Sequence, residues 1–203
     1  MTELAVSWLG PEHAEAWAAL FARAECACFC RWWHFEGDKN AWLDRCANRP
    51  HENRDEQLAL LARDAPARAA AGALIAHYMH RGALEIVGHM KLAPRALLPK
   101  LRNRPVHKRL DLGSDDGVWS VGCVLVDPRW RGKGVARLLL RAAPELVRAE
   151  GGVAIEGYPR RSSEALRDDE VWMGPEGLYA SEGFVEIGGD GPYPVLRKVV
   201  TSR

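Results

Sequence analysis

Apolar and polar positions alternate along this 203-residue chain in blocks with two distinct periods. Residues 2–9 predict a short strand. Pro11 then opens a helix, as proline does at a first helical position, and Ala14, Trp17, Leu20 and Phe21 follow at helical spacing. The run CACFCRWWHFEGDKN breaks the period, and Gly37-Asp38 closes it as a turn. Helix-compatible segments follow at 40–48 and 50–63. ALIAHYMH and ALEIVGHMKL flank Arg81-Gly82, which predicts a hairpin over 73–92. The stretch from Lys91 to Gly117 carries prolines and many charges, and predicts a surface loop with a short helix. VWSVGCVLVDP (118–128) is almost continuously apolar and predicts a buried strand. A helix of about four turns runs to Glu150 and stops at Gly151-Gly152. A buried strand over 153–159, a short helix ending at Gly183, and strands over 184–189 and 193–200 complete the chain. Strands interrupted by helices give an α/β (α+β) class, a mixed sheet with helices on its faces.

Composition narrows the function classes. The 28 Lys+Arg and 27 Asp+Glu nearly cancel, leaving a formal charge of +1 and no global attraction to nucleic acid or an anionic membrane. No apolar run approaches the roughly 20 residues that span a bilayer. The start, MTELAVSWLG, lacks the basic residues of a signal peptide, so the expected location is cytoplasmic. Five cysteines without a secretory signal read as reduced thiols. The basic stretch KLAPRALLPKLRNRPVHKRL is broken by proline and lacks aromatics, which favours a solvated surface over a nucleic-acid site.

The most informative stretch is DPRWRGKGVARLLLRAAPELVRAEG, residues 127–151. A buried strand ends, then Arg131-Gly132-Lys133-Gly134-Val135-Ala136 leads directly into an amphipathic helix. A helix start lacks partners for its first amides and carries the positive end of the dipole. Here Ser, Thr, Asp or Asn is missing at the cap. Glycines that bare the backbone, with Arg and Lys beside them, suit a diphosphate. The spacing fits neither a P-loop nor G-x-G-x-x-G; a plain basic turn is the alternative.

VLVDPRWRGKGVARLLL resembles the acetyl-CoA-binding segment of the GNAT acetyltransferase superfamily, with Arg131, Gly134 and Ala136 at the fixed positions of [RQ]-x-x-G-x-[GA]. LYASEGF is similar to the family's Y-x-x-x-G-F, through Tyr179, Gly183 and Phe184. A closer likeness is to uncharacterised bacterial members with C-x-C-x-x-W and K-x-x-P-R, matched by Cys28, Cys30, Trp33, Lys91, Pro94 and Arg95. The resemblance implies one GNAT-like domain over 1–203, with a mostly antiparallel sheet and a helical, Cys/Trp-rich insertion at about 26–70. It implies a diphosphate on the amides of 131–136 and a pantetheine arm along Val124 and Val126. The amide near Val124 would face the thioester oxygen. Tyr179 occupies the place of the general acid, with a buried structural tyrosine as the alternative.

The family's usual glutamate is replaced by Ser120. Glu156 is the substitute base, or else half of an ion pair with Arg95 or Arg160. His34 and His89 are weaker bases, and a water relay would make a dedicated base unnecessary. Trp33 and Arg95 are the candidate acceptor-binding residues; Trp32, Trp33 and Trp42 equally suit core packing. The expected activity is direct transfer of acetyl from acetyl-CoA to a primary amine of a small molecule or peptide, in a ternary complex, by a monomer or homodimer that needs no metal, nucleic acid or membrane. Cys123, beside the thioester strand, is the alternative as an acyl carrier. A non-enzymatic acyl-CoA-binding module, and a thiol or zinc module at Cys26–Cys30, are the rival readings.

Overall fold

A computed structural model describes residues 3–63, 70–103, 112–167 and 170–200. Among the described residues, seven strands form one sheet: β1 (Ala5–Trp8), β2 (Ala73–His80), β3 (Ala83–Pro94), β4 (Val118–Val126), β5 (Ala154–Gly157), β6 (Val185–Asp190) and β7 (Tyr193–Val199). Their spatial order is β1-β2-β3-β4-β5-β7-β6. Every neighbouring pair is antiparallel except β4–β5, which is parallel. The helices are α1 (Ala14–Arg23), α2 (Lys39–Asn48), α3 (Pro50–Leu61), α4 (Pro99–Asn103), α5 (Val135–Ala149) and α6 (Glu176–Ser181).

The predicted elements are present with ends shifted by a few residues, and β3 runs on to Pro94, so the start of the stretch expected as a solvated surface loop is instead interior, with Lys91 and Arg95 buried. The hairpin turn is tight because Arg81 and Gly82 both take left-handed backbone, at φ 50° and 81°. The basic stretch divides into a 3₁₀ turn at Arg95–Leu97 and α4; its residues 104–111, like 64–69 of the insertion, lie outside the described residues. Among the described residues no helix is long and apolar enough to cross a membrane.

The sheet is apolar on both faces and is covered on both. One face packs Trp17, Leu20, Phe21, Cys30, Trp33, Leu98, Leu101 and Cys123 together. The other carries α5, whose Val135, Leu139, Leu140, Ala143 and Val147 recur at helical spacing and meet Leu74, Val87, Met90 and Val121. Burying each of these larger side chains contributes about 1.5–3 kcal/mol. That helix tolerates an interior proline, Pro144, which removes one backbone donor.

Two irregularities near the middle of the sheet position the site. Met90 pairs with Val124 and Leu92 with Val121, so Gly122 and Cys123 together oppose Lys91 as a β-bulge. The bulge turns both residues towards the face that holds Trp33. The second irregularity is a split. β4 and β5 pair only from Val118↔Ala154 to Ser120↔Glu156, and beyond that point the two strands part.

Candidate active site at the split between two central strands

The turn after β4 is fixed from below. Asp127 is fully buried, and its carboxylate accepts from Arg129 N (2.9 Å), Arg129 Nε (3.0 Å) and Arg23 Nε (2.7 Å). These donors, Arg129 first, hold its carboxyl well below the usual carboxylate range. Arg23 also donates to the Ile86 carbonyl at 2.7 Å, so α1 and β3 both grip the base of the turn. The chain then makes a single 3₁₀ turn, Pro128–Trp130. Gly134 stands at the helix N-cap with φ 81°, a left-handed conformation that glycine takes without strain.

Among the described residues, no side chain caps α5. The first intrahelical bond runs from Leu138 N to Gly134 O, so the amides of Val135, Ala136 and Arg137 precede it. Lys133 N bonds back to Trp130 O at 3.3 Å and belongs to the turn itself. A surface cavity of about 360 Å³ opens here, lined by Leu4, Lys133, Gly134, Val135, Arg137, Leu138 and Arg141. Bare amides and a helix dipole beside Lys133 are chemistry that suits an anion, while Arg137 and Arg141 at the rim pair with Glu182.

The strand edge leading to this turn is engaged. Val124 N donates to the Trp172 carbonyl at 2.8 Å. Strand alternation puts the amide of Val126 on the same edge. Tyr179 is fully buried on α6, and its hydroxyl donates to the next carbonyl, Met173 O, at 2.5 Å. Burial, with Cys123 nearby, raises its pKa further above the usual tyrosine range. Two consecutive carbonyls, Trp172 and Met173, therefore occupy the two donors that the resemblance assigns to the thioester. The one signal of this segment in the sequence is the apolar VWM that directly follows the charged run SSEALRDDE.

Glu156 and Arg95 face each other, both fully buried, with Arg95 NH1 3.1 Å from each carboxylate oxygen. Arg197 donates to the same carboxylate at 2.5 Å and 2.9 Å, and Tyr158 OH does so at 2.5 Å. Arg95 spends its remaining donors on Asp115 and on the carbonyls of Leu112, Gly113 and Ser114. Ser120, where the resemblance expects a glutamate, bonds Tyr158 OH at 2.8 Å. This geometry matches the ion-pair alternative for Glu156, with Arg95 as the partner; Arg160 instead pairs with Glu170 at 2.7 Å. Arg95 is turned to the loop 112–115 and to Glu156, not to an open acceptor pocket.

Trp33 lies at the bulge. It is fully buried, packs at a 33° tilt against Trp172 with centroids 5.4 Å apart, and its Nε1 has no hydrogen-bond partner among the described residues. A Cβ on Gly122 would sit 2.6 Å from that nitrogen, so glycine is required for the approach. Trp42 packs on both Trp32 and Phe35 at the helical side. Lys91 is buried beneath the bulge and donates to Ala70 O at 2.6 Å; burial, then Arg31, brings its pKa down to about 7. Burial and the Lys91 charge hold His34 down to about 2 and His89 to about 3, so both are neutral imidazoles. His89 Nδ1 accepts from Trp17 Nε1 at 3.2 Å, which leaves its proton on Nε2.

A family model described as acetyltransferase (GNAT) family matches residues 32–159, more than half of the chain. A search of curated proteins finds no match. Solved structures share the architecture at low identity. A GNAT-family acetyltransferase from Listeria monocytogenes aligns with TM-score 0.56 at 15% identity, over 98% of this chain and 95% of its own. PaiA N-acetyltransferase from Thermoplasma acidophilum, in complex with coenzyme A, aligns with TM-score 0.54 at 12% identity, over 97% and 99%. A GNAT-family N-acetyltransferase (YhbS) from Escherichia coli, in complex with CoA, gives TM-score 0.52 at 17% identity, over 99% and 83%. Identities this low speak to the fold alone. The match over residues 32–159, together with the sheet order and the uncapped turn after β4, establishes that this chain belongs to the acetyltransferase (GNAT) family.

Proposed function

We propose that the chain is an acetyl-CoA-dependent N-acetyltransferase that acetylates a primary amine on a small molecule or peptide by direct attack in a ternary complex. The observation that carries this reading is the uncapped, glycine-bared turn beside the split between β4 and β5. The amides of Gly134, Val135 and Ala136, with Arg131, Gly132 and Lys133, fit a diphosphate. The β4 edge at Val124 and Val126 fits an extended arm that pairs like a strand. Acetyl-CoA supplies an activated thioester, and the reaction forms the amide C–N bond as the C–S bond breaks.

The protein's own contribution is orientation, an oxyanion donor and a proton. Val124 N is the donor for the oxyanion, and Tyr179 OH is the acid for the departing thiolate. Both are held by the carbonyls of Trp172 and Met173, so one outward shift of Val171–Gly174 frees the pair together. Glu156 serves as a structural ion-pair centre in this reading, and the acceptor ammonium loses its proton to water. Trp172, partly exposed and backed by the buried Trp33, offers an aromatic face on the acceptor side, which suits a cationic amine. The test is release of free coenzyme thiol from acetyl-CoA across a panel of aminoglycosides, polyamines, amino acids and peptide N-termini. Amine-dependent release with a matching acetylated product is expected; tight binding with no transfer to any amine would contradict it.

The engaged state of Val124 N and Tyr179 OH, with Ser120 in place of the family's glutamate, is what favours the second reading, a non-enzymatic acyl-CoA-binding module. The same panel separates the two.

A further inference from the structure

Acyl transfer as described leaves the thiols unused. Cys26, Cys28 and Cys30 lie in the loop between α1 and the Trp32–His34 turn, Cys46 is on α2 and Cys123 is on the β4 bulge. Cys26 Sγ and Cys28 Sγ are 3.4 Å apart, and Cys30 N donates to Cys28 Sγ at 3.4 Å. Cys26 and Cys28 are partly exposed, whereas Cys30 is buried.

The loop is fastened in a strained shape. Glu25, Phe29 and Cys30 have φ of 51°, 44° and 54°, left-handed backbone that non-glycine residues rarely adopt. Phe29 is clamped by stacking on Phe21 (4.8 Å) and by Trp17 (5.4 Å). Asn53, fully buried on α3, donates to Ala27 O at 3.0 Å, between the two cysteines. Several elements thus hold two sulfurs side by side. Hydrogen bonds from Cys26 and Cys30 also lower the Cys28 pKa, which favours a nucleophilic thiolate. Among the described residues, no three His, Cys, Asp or Glu side chains gather as a metal site.

We propose that Cys26 and Cys28 form a redox-active dithiol that small disulfides oxidise to an intramolecular Cys26–Cys28 disulfide. The Cys28 thiolate attacks one sulfur of the small disulfide, whose S–S bond breaks; a mixed disulfide forms and one small thiolate leaves. Cys26 gives its proton to solvent and attacks the Cys28 sulfur, releasing the second small thiolate. Two protein thiols are oxidised and one small disulfide is reduced to two thiols. The sulfurs need to close from 3.4 Å to about 2.05 Å. The inference stands apart from the acyl-transfer reading, since no coenzyme contact enters it.

Glutathione disulfide is the probe, followed by alkylation and peptide mapping of the whole folded chain. Chymotryptic cutting after Phe29 separates Cys30 from the pair. The expected result is a 26–28 peptide that has lost two hydrogens while Cys30, Cys46 and Cys123 remain alkylated. Cys26→Ser should stop the reaction at a glutathione adduct on Cys28, and Cys30→Ser should leave the disulfide forming. In the untreated protein, limiting iodoacetamide should label Cys28 first, a measurement that needs no variant. A pair that stays reduced while Cys46 or Cys123 reacts, or a Cys28→Ser chain that gains an equivalent disulfide within the same loop, would overturn the proposal.

Discussion

The two ends of β4 treat polarity in opposite ways. Near its start, Glu156, Arg95, Arg197, Tyr158 and Ser120 satisfy one another inside the protein. Past its far end, the turn at 131–134 leaves the first amides of α5 uncapped and open to a surface cavity. A buried charge costs several kcal/mol unless paired and hydrogen-bonded, so the first region must be closed to exist at all. An exposed helix start is cheap in water and can wait for a ligand. The contrast teaches that an ionisable residue on a central strand can be wholly spent on buried partners, whereas an uncapped helix start keeps its amides turned to solvent.

The sharpest break of this comparison is Glu156→Ala. It strands the Arg95 guanidinium without its buried carboxylate, and the folded state should lose roughly 3–5 kcal/mol by denaturant titration. A loss under about 1 kcal/mol would mean that the cluster is not the closed unit described. Tyr179→Phe comes next. It removes the bond to Met173 O, and turnover should fall about 100-fold, with acetyl-CoA affinity changed little. Turnover that stays at the parent value would make Tyr179 purely a packing residue.

Acidification should separate buried from exposed polarity more gently. Folded His89 and His34 keep pKa values of about 3 and about 2, whereas unfolded imidazoles titrate near 6.5. Below pH 6.5 the unfolded chain binds more protons, so stability is intact above that pH and falls beneath it. From pH 7.5 to 5.5 the loss should be about 1.4 kcal/mol for each histidine. Denaturant midpoints in this interval test it, and a flat profile would place a carboxylate beside these rings. Lys91, depressed to about 7, has a separate window: its contribution makes stability rise with pH between about 7 and the ordinary lysine value of 10.5.

The smallest effect belongs to Gly134→Ala. A Cβ there meets nothing within 4 Å, so the only objection is the left-handed backbone, worth about 1–2 kcal/mol for an L-residue. Acetyl-CoA affinity should drop about tenfold by calorimetry, with the rest of the fold unchanged. Equal affinity would show that the turn geometry does not matter to the ligand.

Local patterns made much of this legible. The helical spacing of Val135, Leu139, Leu140, Ala143 and Val147 fixes the buried face of α5, and the glycines around it mark both ends. Arg81-Gly82 marks the hairpin for the same reason: the signal and the structure it dictates are neighbours in the chain. The remainder depended on distant partners. Arg95 meets Glu156 across 61 positions, and Arg197 reaches the same carboxylate across 41. Two alternatives for Glu156 followed from the sequence, and only packing distinguishes them. The seating of Trp172 and Met173 on Val124 and Tyr179 depends on how β4 and β5 part, which no periodicity encodes.

The central claim concerns the bare amides ahead of α5, and it is tested most directly by titrating acetyl-CoA into nitrogen-15-labelled protein while following individual backbone amides. Saturable binding is expected, with the largest shifts at Gly132, Gly134, Val135 and Ala136, and smaller ones along Val124–Val126. Saturation with those turn amides unmoved and the shifts concentrated elsewhere would contradict it.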